Sequence, residues 1–124
     1  MNRYQNTDKD IHKLIYLFVL GCFRDVVKKI PKTTENISII GQIASSLTSM
    51  GANDREADAC GSQRDFIAKY MIVRKETNET HYWLSLIHDL LLVELICVES
   101  YQKESIEILR IVSSIVSNAK HNSL

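Results

Sequence analysis

Proline occurs once in this chain and glycine four times, so few positions force a helix to stop. Between Ser62 and Leu124 there is neither. Alternation of apolar and polar residues is also missing, which argues against half-buried strands and leaves an all-α reading. There is no charge of one sign to spare: fifteen Lys and Arg balance fifteen Asp and Glu. The molecule as a whole therefore has no field to draw it onto nucleic acid or anionic lipid. Cysteine is scarce and odd in number, Cys22, Cys60 and Cys97, with no CxxC and no histidine in ligand register. These read as small apolar residues of a reducing cytoplasm rather than a disulfide framework or a metal site.

No segment reaches the roughly 18 to 20 apolar residues of a membrane span. The N-terminus imitates a lipoprotein signal, with Lys9 and Lys13 before the apolar run Leu14 to Leu20 and then Gly21-Cys22. Asp8 and Asp10 spoil its basic region, the run is short, and cleavage would remove a helix, so it is read as part of the fold.

What the chain does contain is helical periodicity around one core, which 124 residues with 45% hydrophobic content can build. Helices are expected over about 8–30, 33–60, 62–90 and 94–120, in one domain. In the first, Ile11, Leu14, Ile15, Phe18, Cys22, Val26 and Ile30 form a stripe that Pro31 terminates. Leu17, Leu20, Phe23 and Val27 widen the apolar surface past what one core needs, and are expected to form an interface with another copy. Thr33 or Thr34 caps the second helix, whose small residues, Gly41, Ala44, Ser45, Ser46, Ser49 and Gly51 among them, suggest close approach to a neighbour. Gly61 and Ser62 separate helices two and three. Phe66, Tyr70, Met71, Val73, Thr77, Trp83, Leu84, Ile87 and Leu91 are expected to face inward from helix three, and Ile96, Tyr101, Ser105, Ile108, Val112 and Ala119 from helix four. The turn between these two falls near 89–94, and the tail after Lys120 should fray. Short connections make this an antiparallel up-and-down four-helix bundle.

Charge is unevenly placed. Residues 1–32 hold seven Lys or Arg against three acids, and 76–107 hold seven acids against Lys103 alone. Neighbouring helices would attract, and Arg24, Lys28, Lys29 and Lys32 form a candidate contact for nucleic acid or a partner.

Catalytic patterns are lacking. A di-metal bundle needs Glu-x-x-His, whereas Glu79 and His81 are two apart; HExxH, GxSxG and a glycine-rich phosphate loop do not occur. His81 and His88 share a face without a third ligand, and Tyr82-Trp83 reads as core. Asn53, Glu56, Lys75, Glu76 and Glu79 lie on otherwise apolar segments and are expected to form a structural polar network, with a Lys75–Glu79 bridge. No enzyme activity, metal or cofactor is expected.

The stretches IPKTTEN (30–36), SLTSMGANDREA (46–57) and RDFIAKYMIVRKETNETHYWLSLI (64–87) resemble the bacterial four-helix-bundle proteins named for reading frames in intervening sequences of 23S ribosomal RNA genes. The resemblance covers nearly the whole chain. It implies an antiparallel four-helix bundle assembled as a ring of five, with a mostly unassigned role, in which Gly51, Ala52, Asn53, Glu56 and Ala57 match one signature and Lys75, Glu76, Glu79, Tyr82 and Trp83 another. Relatives that accompany diversity-generating retroelements are basic and bind a reverse transcriptase and nucleic acid. Here Ser45 stands where the family often has arginine and the charge is balanced, which turns the expectation toward a self-assembling scaffold or accessory protein.

Overall fold

The computed structural model describes residues 10–122, in which four helices follow one another. α1 spans Ile11–Asp25, α2 Thr34–Asp58, α3 Gln63–Asp89 and α4 Leu95–Asn122. Each packs on its predecessor and α4 closes back on α1, the arrangement of an antiparallel up-and-down bundle. The expected start of helix one at residue 8 lies outside the described residues. Its carboxyl end differs: α1 stops at Asp25, and Val27–Lys29 form a 3-10 turn. Pro31 pushes Ile30 into extended backbone, and the tighter 3-10 winding brings Val27 and Ile30 to one side, so that Val26, Val27 and Ile30 are all buried. α4 runs two residues past Lys120.

Side chains cap the helix starts. Asp10 accepts from the amides of His12 and Lys13, Thr33 from Asn36 and Ser62 from Asp65, each satisfying N–H groups that have no partner inside the helix. Asn36 in turn donates to the Pro31 carbonyl at 2.9 Å, locking the turn into α2.

Ile11, Ile15, Phe18 and Cys22 meet Ile43, Leu47 and Met50 of α2, Tyr70, Val73, Leu84 and Ile87 of α3, and Val98, Ile108 and Val112 of α4 in one core. Several residues read as inward-facing are not. Met71, Leu91 and Ile96 are exposed and Tyr82 projects into solvent, whereas Trp83, half-buried, does pack against the core. In the first turn of α4 it is Val98 that enters the core, two positions from Ile96 and so on the opposite side of the helix. Of the small residues of α2 the glycines do not mark a tight helix contact, since a Cβ on Gly41 would meet open space and one on Gly51 only ordinary contact with Val19, whereas buried Ser46 does meet α3, its hydroxyl 2.8 Å from that of Thr80. The glycine that does sit against a neighbour is Gly21 of α1, under the ring of Tyr101.

Candidate functional site

Two features stand out on this frame, a surface groove and a buried polar cluster. The groove lies where α1, the 3-10 turn and α2 meet, with a volume of about 460 Å³. Leu20, Phe23 and Ile40 line it, and Val27, only 8% exposed, reaches it as floor rather than as a protruding interface residue. Arg24, Lys28 and Lys32 line the same groove. Lys29 is exposed but outside it, as is Leu17, which is 50% exposed one turn earlier. Two residue sets given separate roles in the sequence reading thus share one surface, apolar inside and cationic at the rim. The 3-10 turn produces this by bringing Lys28 and Lys32 back beside the last turns of α1.

The polar network read from the sequence forms in part: Asn53 and Glu76 both meet Ser49, while Glu56 stands apart. Asn53 donates within its own helix, to the Ser49 carbonyl at 2.9 Å and the Ser49 hydroxyl at 3.2 Å. Glu56 pairs with Lys69 at 3.5 Å on the surface, a contact worth little. The Glu76 carboxyl is raised above its ordinary range by burial and by neighbouring Glu79, with Ser49 and Lys75 opposing. No Lys75–Glu79 ion pair forms among the described residues.

A different cluster forms where three helices meet. His12 of α1 faces Asp54 of α2, its Nδ1 lying 2.8 and 2.9 Å from the two carboxylate oxygens, and the Tyr70 hydroxyl of α3 donates to Asp54 Oδ1 at 2.5 Å. On the far side of the ring, Nε2 is 3.3 Å from Asp58 Oδ1, a charge contact out of line for a hydrogen bond. The hydrogen bond with Asp54 raises the His12 pKa; burial opposes it, and the charges of Asp54, Asp58 and Asp10 reinforce it. Burial, then Asp54, pushes the Tyr70 phenol far up. Asp54 is 3% exposed, so its charge is compensated by these two partners rather than by water. Sequence reasoning missed the cluster, although Leu47, Met50, Asp54 and Ala57 fall at the spacing of one buried helix face.

The cluster is an Asp–His pair without a nucleophile: no serine, threonine or cysteine bonds to His12 among the described residues. His81 bonds Ser105 across α3 and α4, and His88 lies between Asp89 and Glu99 at the turn joining them. Among the described residues no group of three or more His, Cys, Asp or Glu could hold a metal ion, and no helix is long and apolar enough to cross a membrane.

The profile of the 23S rRNA-intervening sequence protein family matches residues 7–114. The chain belongs to this family. A comparison with curated proteins finds no match. Among solved structures, a protein of unknown function from the S23 ribosomal protein family of Bacteroides thetaiotaomicron VPI-5482 is 33% identical, with a TM-score of 0.78 over 86% of this chain and 98% of its own. The family match takes in α1, α2, α3 and α4 as far as Ser114, so both the groove and the Asp54 cluster lie within it.

Proposed function

We propose that this family member is a non-catalytic cytoplasmic protein that assembles with copies of itself, as the ring of five implied by its family resemblance, and acts as a scaffold or accessory subunit. The supporting observation is the groove: Leu20 and Phe23 of α1 and Ile40 of α2 leave apolar surface open on helices whose other sides already fill the core, and such surface is characteristic of an interface. No cofactor or metal takes part in this reading. Sedimentation velocity over a concentration series tests it. Five times the 14.2 kDa monomer mass is expected, and a monomer at micromolar concentration would overturn the proposal.

The convergence of Arg24, Lys28 and Lys32 on one rim favours a second reading, an accessory that binds RNA or DNA. Such binding would fall with salt at a slope of up to about 3 per protomer, one for each phosphate neutralised. A gel shift with structured RNA and duplex DNA that shows no complex at low salt would remove this alternative.

A further inference from the structure

The turn between α3 and α4 holds the one described non-glycine residue with a left-handed backbone, Leu91, at φ 57°. Its geometry is a complete Schellman cap: the Leu92 amide reaches the Ile87 carbonyl and the Leu91 amide the His88 carbonyl, both at 3.1 Å. Glycine normally takes this position because a Cβ is strained there. The leucine side chain gains nothing from the core in return, since it is 71% exposed. Leu90 and Ile96 beside it are also exposed, Ile96 at 77%. A strained residue presenting an apolar side chain to water stabilises nothing within this chain. The corner is ringed by acids: Glu94 is exposed, and Asp89 and Glu99 share His88.

We propose that this corner, Leu90, Leu91 and Ile96 with Glu94 and Glu99, docks into the Leu20–Phe23–Ile40 groove of a second copy. The inference rests on the self-association reading and deepens it by naming the two unlike surfaces that meet. Charge complementarity selects the occupant, because Lys28 and Lys32 edge the groove while acids edge the corner. Position supports it as well. The corner belongs to α3 and α4, the groove to α1 and α2 on the other side of the bundle, and both lie at the same end, where Cys97 Sγ is 3.4 Å from the Asp25 carbonyl. A contact between unlike patches at one level carries successive copies around an axis instead of pairing them by a twofold.

The test is sedimentation velocity on the full chain and on Leu91→Ala, Leu91→Gly, Glu94→Lys and Lys28→Glu. Both Leu91 variants should weaken association by about tenfold or more, as loss of an interface anchor does. Between these two dissociated proteins, Leu91→Gly should melt higher than Leu91→Ala, because glycine relieves the backbone and alanine does not. Each charge reversal should weaken association, and Glu94→Lys combined with Lys28→Glu should recover most of it. Leu91→Gly keeps its groove and Lys28→Glu keeps its corner, so mixing them should give a one-to-one heterodimer that neither forms alone. If the native chain is monomeric, the self-association reading fails and this contact with it. If the native chain associates but the Leu91 variants associate equally well, or the charge double is no better than the singles, the groove has another occupant and only this inference is overturned.

Discussion

Replacing Gly21 with alanine sets two effects of opposite sign against each other. Alanine within a helix is favoured over glycine by about 1 kcal/mol, so on propensity alone Gly21→Ala would stabilise α1. A Cβ at this position, however, would lie 2.5 Å from Tyr101 Oη and 2.9 Å from its Cε1. The ring has two torsions with which to retreat, and retreat breaks its hydrogen bond to the Asp25 carboxylate and its edge contact with Phe18, 6.1 Å between centroids. Overpacking costs typically 1–3 kcal/mol, and so close an approach belongs at about the upper end. The net expectation is a loss of roughly 2 kcal/mol, which for a chain of this length is a fall in Tm of roughly 8 °C. Thermal unfolding followed by circular dichroism at one fixed protein concentration measures it. In a Tyr101→Phe background, where the closest atom is gone, the penalty of Gly21→Ala should shrink. A rise in Tm would refute the close approach, and an equal penalty in both backgrounds would show that the hydroxyl is not its source.

The Asp54 cluster makes stability depend on pH. Because the fold raises the His12 pKa, its contribution is fully present below the ordinary histidine value of about 6.5 and is lost as pH rises through the higher folded value. Denaturant midpoints measured across that window should decline with pH and decline less in His12→Gln; an identical slope in both proteins would exclude His12 as the cause. Asp54→Ala should cost about 3 kcal/mol by leaving His12 and the buried Tyr70 hydroxyl without their shared acceptor, read as a shift in urea midpoint. The Cys22 thiol is buried and its pKa pushed far up by desolvation, so native alkylation followed by mass mapping should spare it while modifying the partly exposed Cys60. Rapid labelling of Cys22 would mean that α1 opens in the native state.

Helical class and helix number were legible because their causes are local. The period of apolar residues, Pro31 after Ile30, the Thr33 and Ser62 caps and the glycine-free second half all act within a few residues of the chain. The apolar surplus of helix one was legible for the same reason, being a matter of how much circumference one core can cover.

Other features needed several helices in place at once. The 3-10 turn at Val27–Lys29 was hidden because a continuing helix and a tightened turn share the same apolar pattern, and only burial of Val27 and Ile30 together distinguishes them. The union of Leu20 and Phe23 with Lys28, Lys32 and Ile40 in one groove depends on that turn and on where α2 then lies. His12, Asp54 and Tyr70 come from three helices, the first two 42 positions apart, and no spacing rule reaches so far. The strain at Leu91 follows from the cap that closes α3, which a sequence without glycine gives no reason to expect. Local periodicity and capping residues thus determined that this protein is a helical bundle. Only the packing of four helices decided which carboxylate is buried against a histidine and which leucine is left strained and open to solvent.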